Sequence, residues 1–417
     1  MAAIPGFLGI PGINVTFWST IGALRFLQEK ILHHEKQTRS EKNLTRWMKK
    51  NVVAVAIAAR NEEHALPRTL RSLKNQVRPR NIFVASDGSR DNTAKVARRF
   101  RVNVTELYPN RGKAGALVSL IEKFKLLDKY LFILFVDADT HINRNYLVEA
   151  IPFFADPDVV AVAGHGKTAW RKHPYPCWKM FFASYRDRLY NFLQYTIRWG
   201  QTSKWLNVSP IIPGFASIYR TSALKKIDIA TPGLVIEDFN MTFQIHHKKL
   251  GKIAYHPKAY GIARDPTNFR DYANQVKRWN LGFWQTVIKH GIWPSIFSLT
   301  LVTFVSESLL TAFVFSLFPF IFVILLVKYF GQFFPEQVTQ LALSVGSYVT
   351  LLEIFAVFFI ADYLITFIVA VFTRRPQHLF YGLGFPFLRF VDAILILWSL
   401  PLAFITKSKG SWVSPKR

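Results

Sequence analysis

Carboxylates that directly follow apolar runs are the residues of this sequence best suited to chemistry. Asp137 and Asp139 stand one residue apart, immediately after the apolar run YLFILFV at residues 130–136. Two carboxylates at the end of a buried strand can direct oxygen ligands at one divalent cation, and Mg²⁺ or Mn²⁺ prefers such ligands and bridges to phosphate groups. The pair predicts a metal and diphosphate site, although Asp-x-Asp is also a common turn or helix-cap sequence.

Polar loops also follow three earlier runs of strand length. These runs occupy residues 52–58, 81–85 and 102–106, and the loops after them read RNEE, SDGSRDNT and NRGKAGAL. The residues of interest in these loops are Asn61, Glu62, Asp87 and Lys113. A glycine beside a lysine, as in Gly112-Lys113, suits close approach to a diphosphate, and it is also common in solvated turns.

A second acidic pair and a basic-aromatic motif lie later in the chain. Glu237 and Asp238 follow apolar residues in VIED, and Gln275, Arg278 and Trp279 belong to the motif QVKRW. On a helix, positions i, i+3 and i+4 share one face. A guanidinium on that face can clamp phosphate, and an indole can stack on a sugar ring. The alternative is that Trp279 anchors the helix at a membrane surface while Arg278 meets lipid phosphates.

The spacing of the apolar runs predicts the scaffold that positions these loops. Segments with helical spacing at residues 65–75, 93–99 and 114–124 separate the strand-like runs. Strands that alternate with helices imply a mostly parallel sheet covered on both faces. Ligands bind such sheets at the carboxyl ends of the strands. The sequence therefore predicts an α/β domain whose site is formed by the polar loops.

Charge and hydropathy exclude several classes of protein. The 417 residues include 53 Lys and Arg against 26 Asp and Glu, a net charge of +27, and the mean hydropathy is +0.15. This chain is neither a disordered polar chain nor an ordinary soluble protein of near-neutral charge. Its one cysteine, Cys177, cannot form an internal disulfide. The charge predicts an anionic partner, which composition leaves open among nucleic acid, anionic lipid and a phosphorylated substrate.

Three apolar runs toward the C-terminus predict three membrane segments. They occupy residues 297–327, 341–372 and 388–405, and about 20 residues of helix cross the hydrocarbon core of a bilayer. The first two runs contain Glu307, Glu353 and Asp362. An acid near the centre of a spanning helix costs roughly 2.5–3.5 kcal/mol, so each should face protein or water. We expect interhelical hydrogen bonds or, alternatively, a polar conduit through the membrane.

The N-terminal apolar residues predict a helix at the membrane surface. Residues 15–32 suit an amphipathic interfacial helix, and a single span is the alternative. The side chains expected to face lipid are Phe17, Trp18, Ile21, Leu24 and Leu27. The segment 169–207 is rich in aromatic and basic residues, which suits either packing at the interface or an acceptor groove.

Loop charges and composition give an expected topology and domain organisation. Arg374 and Arg375 favour a cytoplasmic position for the loop at 373–378, and the basic C-terminal tail favours the same side, which conflicts with three simple spans. The predicted divisions are an interfacial or anchoring segment at 1–50, a catalytic domain at 51–293, a transmembrane region at 294–406 and a basic tail at 407–417.

The ordered set of motifs resembles a known family. RNEE, SDGSRDNT, RGKAGAL, DAD, IED and QVKRW follow one another in the order and spacing of the processive, membrane-integrated family 2 glycosyltransferases, which include cellulose, hyaluronan, chitin and poly-N-acetylglucosamine synthases. The resemblance covers residues 52–279 and continues as a C-terminal membrane region. It implies an α/β GT-A catalytic domain, Rossmann-like, followed by a C-terminal α-helical transmembrane region.

The resemblance also implies a role for each matching residue. Asp238 is similar to the family's catalytic base, and Asp137 and Asp139 are similar to its site for Mn²⁺ or Mg²⁺. The implied donor or nucleotide-binding residues are Asn61, Glu62, Asp87, Lys113, Asp137 and Arg278. The implied acceptor-binding residues are Glu237, Gln275 and Trp279. Ser86 stands where many members have a first aspartate, which leaves the nucleotide open.

The function implied is transfer of a sugar, with inversion, from a nucleotide sugar to a growing polysaccharide. The donor expected is a UDP-sugar, and processive extension would pass the chain through the protein's own membrane helices. The catalytic domain would face the cytoplasm from the plasma membrane, with membrane lipids as further partners. Transfer of a single sugar to a lipid acceptor is the alternative. A nucleic-acid partner is disfavoured because the sequence contains no recognisable reading motif.

Overall fold

A computed structural model describes residues 12–32, 47–48, 51–170, 177–348, 350, 352–353 and 356–406. The basic tail predicted at 407–417 and much of the segment predicted at 1–50 lie outside the described residues. Between them, the described chain forms an α/β domain and a set of apolar helices.

An eight-stranded mixed sheet forms the centre of the α/β domain. Its strands, in chain order, are β1 Val53–Ala59, β2 Ile82–Asp87, β3 Asn103–Leu107, β4 Phe132–Val136, β5 His141–Ile142, β6 Val159–Thr168, β7 Ala216–Arg220 and β8 Lys252–Ala263. Across the sheet the order is β3-β2-β1-β4-β7-β6-β8-β5. The first four strands are parallel, β7 is antiparallel to both β4 and β6, and β6 is parallel to β8.

Helices connect and cover these strands. They are α1 Ile13–Leu32, α2 Leu66–Lys74, α3 Thr93–Arg99, α4 Gly112–Phe124, α5 Leu126–Lys129, α6 Tyr146–Ala150, α7 Trp178–Leu193, α8 Trp199–Gln201, α9 Thr221–Leu224, α10 Glu237–His247, α11 Phe269–His290, α12 Ile296–Val327, α13 Glu336–Tyr348, α14 Ala361–Thr373, α15 Gln377–Gly382 and α16 Phe385–Ile405. The predicted strands and helices of the parallel half are confirmed, with bounds shifted by up to two residues.

The central strand β1 is buried along its whole length, as expected for a sheet covered on both faces. Its Val and Ile side chains point into one core, which includes Leu66 and Leu70 of α2. Ala54, Ala56 and Ala58 point into the other core, where Leu117 and Leu120 of α4 pack. Because alanine is small, α4 lies close against the sheet, and its first residues reach the carboxyl ends of β1 and β2.

Two helices of the described chain are long and apolar enough to span a membrane, α12 and α16. Among the described residues, the run at 341–372 is divided between α13, which ends at Tyr348, and α14, which begins at Ala361, so the third span stays a prediction. Thr350 Oγ1 accepts a hydrogen bond from the Glu353 N–H at 3.2 Å, and the Glu353 carboxylate accepts one from the Thr350 N–H at 2.8 Å. This reciprocal pair is a capping box, which starts a new helix inside the apolar run.

The acids of the apolar runs have local partners. Glu307 accepts hydrogen bonds from the backbone N–H and the amide of Asn14 in α1, at 3.0 and 2.7 Å. Asp362 accepts from Arg188 and Arg389. The expected interhelical hydrogen bonds are therefore confirmed for Glu307 and Asp362, whereas Glu353 caps its own helix.

Helix α1 packs one side against the α/β domain and leaves other apolar side chains exposed. Trp18 is only 2% exposed, which is contrary to its predicted contact with lipid, and Ile21 is partly buried. Phe17, Leu24 and Leu27 are exposed as predicted. The physical reason is that the groove beside α8 accepts the Trp18 side of the helix.

The aromatic and basic segment at 169–207 contains a helix that is buried inside the protein. This helix, α7, contacts strand β6 on one side and the helices α14 and α15 on the other. It therefore forms the layer between the sheet and the apolar helices.

Candidate active site

Four charged residues meet where β4 ends and where α4 and α10 begin. Asp137 is the first residue after β4, Lys113 is the second residue of α4, and Glu237 and Asp238 are the first two residues of α10. The Asp137 N–H donates to the Phe215 carbonyl at 3.1 Å, which fixes the carboxylate beside the start of β7. Residues far apart in the sequence are thus brought to one edge of the sheet, as the motifs predicted.

Lys113 bridges two carboxylates at this site. Its Nζ lies 2.8 Å from Asp137 Oδ1 and 2.8 Å from Glu237 Oε1. Burial by itself would lower the pKa of Lys113, but the negative charges of Asp137, Glu237 and Asp238 outweigh burial and hold that pKa well above its ordinary value. The lysine is therefore a fixed positive charge among three carboxyl groups.

Asp238 is the residue of the cluster with the properties of a base. Its Oδ2 accepts a hydrogen bond from the Gly214 N–H at 2.7 Å. Burial, and next the negative charge of Glu237, raise the pKa of Asp238 to about 7 against the opposing effect of Lys113. A carboxyl group with a pKa near neutrality exchanges protons readily at physiological pH.

Gly214 is required for this approach. A Cβ at this position would lie 2.2 Å from Asp238 Oδ1 and 2.8 Å from Lys113 Nζ, so any side chain would displace the base.

Glu237 differs from its neighbour because it touches the lysine directly. Burial would raise the pKa of Glu237, but the charge of Lys113 and its hydrogen bond outweigh burial and lower it. Glu237 therefore stays ionised, and its charge keeps the proton on Asp238 up to higher pH.

Asp87 lies beneath the same edge and organises the start of α4. Its side chain is buried, and Oδ1 accepts a hydrogen bond from the Arg111 N–H at 2.7 Å. Burial raises the pKa of Asp87, against the opposing effect of the backbone N–H groups of Arg111 and Gly112. Asp87 thus links the second strand to the loop that presents Lys113.

Asn61 and Glu62 join the first loop to the second. Asn61 accepts a hydrogen bond from the Arg90 N–H at 2.8 Å and adopts a left-handed backbone with a φ of 55°. The Glu62 N–H donates to Thr93 Oγ1 at 2.8 Å, and the Glu62 side chain is buried. The structure therefore places these two predicted nucleotide residues in contacts between loops.

Asp139 lies in the short turn between β4 and β5 and is partly buried. Its position two residues after Asp137 keeps both carboxylates at the same strand end. Within the described ranges, no group of three or more His, Cys, Asp or Glu side chains is arranged to hold a metal ion. Asp137 and Asp139 supply two carboxylates at this strand end, one of which is paired with Lys113.

The QVKRW motif lies on α11, and Gly282 of the same helix packs against Ile236, the residue before the acidic pair. A Cβ on Gly282 would lie 2.8 Å from Ile236, the residue before Glu237, so α11 can approach α10 only because this position is glycine. Trp279 lies one turn earlier on the same helix and is only 4% exposed. A buried Trp279 does not anchor the helix at a membrane surface, so that alternative is wrong. Arg278, the residue before it, is exposed.

Gln275 contacts a residue that sequence analysis missed. Arg186 of α7 donates from Nη2 to Gln275 Oε1 at 3.1 Å. The only signal in the sequence was the Arg-Asp-Arg run inside an aromatic segment, where buried arginines are unexpected.

Comparison with known proteins agrees with this geometry. Residues 54–228 match the family described as glycosyl transferase family 2. Residues 54–228 therefore form a glycosyl transferase family 2 domain, and the chain is a glycosyltransferase. The mixed sheet, with its parallel half leading to Asp137 and Asp139, is the GT-A architecture expected of that family.

Named relatives extend over different parts of the chain. The poly-beta-1,6-N-acetyl-D-glucosamine synthase of Staphylococcus epidermidis is 25% identical over 419 residues, covering 94% of this chain and 92% of that protein. The 4,4'-diaponeurosporenoate glycosyltransferase of Staphylococcus haemolyticus is 30% identical over 135 residues, which is 31% of this chain and 33% of that protein.

A solved structure also resembles this chain. It is a mannosyltransferase from Pyrobaculum calidifontis in complex with GDP-Man and Mn²⁺, with a TM-score of 0.48 and 16% sequence identity, covering 93% of this chain and 99% of that chain.

Proposed function

We propose that this glycosyltransferase transfers sugar units from a nucleotide sugar to a growing polysaccharide, with inversion at the anomeric carbon. The observation that carries the proposal is the cluster in which Lys113 bridges Asp137 and Glu237 beside Asp238. One relative, whose match covers 94% of this chain, is named a poly-beta-1,6-N-acetyl-D-glucosamine synthase. That name supports a polysaccharide product.

Asp238 is the proposed base. The acceptor hydroxyl must lose its proton as its oxygen bonds to the anomeric carbon and the bond to the diphosphate breaks. The Gly214 N–H holds one oxygen of the Asp238 carboxylate at 2.7 Å, so the side chain is oriented before substrate binds. Once Asp238 is deprotonated, it accepts the hydroxyl proton.

Lys113 is the proposed partner of the leaving diphosphate. Its ammonium group remains charged because three carboxyl groups surround it. Negative charge develops on the departing diphosphate, and a fixed positive charge nearby stabilises it. Arg278, which is exposed on α11, supplies a second cation whose planar guanidinium suits phosphate.

Asp137 and Asp139 are the proposed ligands of a divalent cation. The fit rests on their chemistry, since two carboxylates supply hard oxygen ligands and leave the remaining positions to phosphate and water. Bound Mg²⁺ or Mn²⁺ would offset the charge of the diphosphate. The solved mannosyltransferase in complex with GDP-Man and Mn²⁺ is a precedent for this class of cofactor in another protein.

Helices α12 and α16 are the proposed membrane attachment. Both are long and apolar enough to cross a bilayer, and many large apolar side chains of α12 are exposed. Arg375, in the loop predicted to be cytoplasmic, lies 2.6 Å from Asp187 of α7, so that loop adjoins the catalytic domain. A catalytic domain on the cytoplasmic face of the plasma membrane accords with this contact and with the net positive charge.

The test is a product assay with the full chain purified in detergent. The protein is incubated with Mn²⁺ and, in separate reactions, a panel of UDP- and GDP-sugars, and release of nucleoside diphosphate is measured. The product of the active donor is then sized. We expect one or a few donors to be consumed and the product to be a polymer. An Asp238→Asn protein is the control for contaminating hydrolases, and consumption of no donor would overturn the proposal.

Transfer to a lipid acceptor is the second candidate. The observation that favours it is a second match, which covers 31% of this chain. That relative is named a 4,4'-diaponeurosporenoate glycosyltransferase, and the compound in its name is not a polysaccharide. Extraction of the same reaction with chloroform separates the candidates, because a glycolipid partitions into the organic phase and a long polymer does not.

A further inference from the structure

Arg186 lies between the helix that carries the QVKRW motif and the apolar helices. It belongs to α7 and is only 1% exposed. Its guanidinium carbon is 4.2 Å from the centroid of the Trp279 ring and 4.8 Å from that of Tyr272. Both rings are on α11, so one buried arginine contacts two turns of the motif helix. A desolvated cation over an indole is attracted by the negative face of the ring.

The same guanidinium fixes the direction of the Gln275 amide. Arg186 Nη2 donates to Gln275 Oε1 at 3.1 Å. Because arginine only donates, the oxygen of the amide must turn toward it, and the two N–H donors of the amide then point elsewhere. Arg186 therefore contacts Gln275 and Trp279, the first and last residues of the motif.

The arginine itself is held from both sides. The carboxyl groups of Asp392 and Asp265 lie close enough to attract it, and Asp392 Oδ1 accepts a hydrogen bond from the Tyr272 hydroxyl at 2.5 Å. The next residue, Asp187, pairs with Arg375 at 2.6 Å, which fixes the backbone of α7 against the apolar helices. A side chain held this firmly can set the position of its neighbours.

We propose that Arg186 is a positioning residue that holds the Trp279 ring and the Gln275 amide in the orientation needed for sugar transfer. This inference rests on the proposed function, because it assumes that the motif contacts substrate. Arg186 acts through the two motif side chains and does not itself touch the reacting atoms.

The test compares Arg186→Lys with a matched control, Arg188→Lys. Lysine keeps the charge but loses the planar fork and its stacking. Arg188 is on the same helix, is equally buried, and contacts aromatic rings, but it pairs with Asp362 of α14 instead of α11. We expect Arg186→Lys to lower kcat by about 10- to 100-fold with donor affinity unchanged, as for a misplaced substrate-positioning group. Arg188→Lys should keep the wild-type kcat per folded molecule.

A second readout does not depend on activity. The 11 tryptophans are replaced by 5-fluorotryptophan, and the fluorine resonance of Trp279 is assigned with Trp279→Phe. Arg186→Lys should shift or broaden that resonance, and Arg188→Lys should leave it in place. Gln275→Glu adds a third measurement, since it keeps an acceptor for Arg186 but removes the N–H donors. We expect it to lower kcat while the Trp279 resonance stays near its wild-type position.

The outcomes separate this inference from the proposed function. If the wild-type protein transfers sugar but Arg186→Lys behaves like Arg188→Lys, the function stands and the positioning role is wrong. If the wild-type protein consumes no donor, the proposed function fails. If, in addition, the Trp279 resonance does not move in Arg186→Lys, the contact between Arg186 and Trp279 is overturned as well. Failure of Arg186→Lys to fold while Arg188→Lys folds would assign Arg186 a purely structural role and overturn the proposal.

Discussion

Buried charges occur in two regions of this glycosyltransferase, and they are arranged differently. At the strand ends, one cation, Lys113, stands among three carboxyl groups and remains partly accessible. Between α7 and the apolar helices, Asp362 Oδ1 lies 2.7 Å from Arg188 Nη1 and 2.6 Å from Arg389 Nη1. All three side chains of this second cluster are no more than 2% exposed.

The difference shows which buried charges serve chemistry. The first cluster has an excess of negative charge and an opening to solvent, so it can receive a cation and a phosphorylated ligand. In the second cluster, Arg188 and Arg389 both contact one oxygen of Asp362 in an interior closed to solvent. This arrangement holds the helices that carry these residues together. Loss of charge should therefore change activity or its pH dependence in the first region and lower stability in the second.

The largest expected effect is that of Asp238→Asn. An amide cannot accept the proton of the acceptor hydroxyl, so sugar transfer should fall by about 10²- to 10⁴-fold, the contribution of general-base catalysis. Donor binding should remain nearly intact, because the Lys113 contacts with Asp137 and Glu237 do not involve Asp238. Nucleoside diphosphate release and donor titration measure the two quantities. Near-normal turnover would remove Asp238 from its role as the base.

Asp139→Ala should have the next largest effect. Loss of one of two proposed ligands weakens the cation site, and several kcal/mol of charge stabilisation corresponds to about 10²-fold or more in rate. The measurement is activity as a function of Mn²⁺ concentration, with EDTA as the limiting case. Wild-type activity that persists unchanged in EDTA would contradict the metal assignment.

Asp362→Asn tests the second region. It leaves Arg188 and Arg389 buried without their shared anion, which should lower the free energy of unfolding by about 3–5 kcal/mol. Thermal unfolding in detergent measures the loss, and activity per folded molecule at low temperature is the control. A large drop in that specific activity with unchanged stability would place this cluster with the catalytic one.

Glu237→Gln should have the smallest effect and should be visible as a shift in pH dependence. The base is active when deprotonated, so kcat/KM should rise as pH increases through about 7, the pKa of Asp238. Removal of the negative charge of Glu237 makes the Asp238 carboxylate easier to form and lowers its pKa. The rise in kcat/KM should therefore move to lower pH. A rise that stays in place or moves to higher pH would argue against this coupling.

Much of the catalytic domain was predictable because its signals are local. The parallel strands and their helices were found from the spacing of apolar residues, and strand ends are where polar loops must gather. Asp137 and Lys113 were selected for that reason, whereas the role of Asp238 was implied by the resemblance to a known family. The break at Thr350 and Glu353 was not predicted, because this capping pair is a short polar signal within a long apolar run.

The roles of Arg186 and Gly214 could not be predicted, because each depends on contacts between residues distant in the sequence. Arg186 is 89 residues from Gln275, and Gly214 is 24 residues from Asp238. The burial of Trp18 in α1 could not be predicted for the same reason. The spacing of apolar residues along a helix does not reveal which other element of the protein will cover its apolar face.

The sequence by itself determined the kinds of side chain available and their order: the acids after buried strands, the lysine after a glycine, and the motif on one helix face. Tertiary structure decided which charges meet and how strongly each is perturbed. The reason is physical, since the pKa of Asp238 depends on burial and on the distances to Glu237 and Lys113, and those distances exist only once β4, α4 and α10 converge.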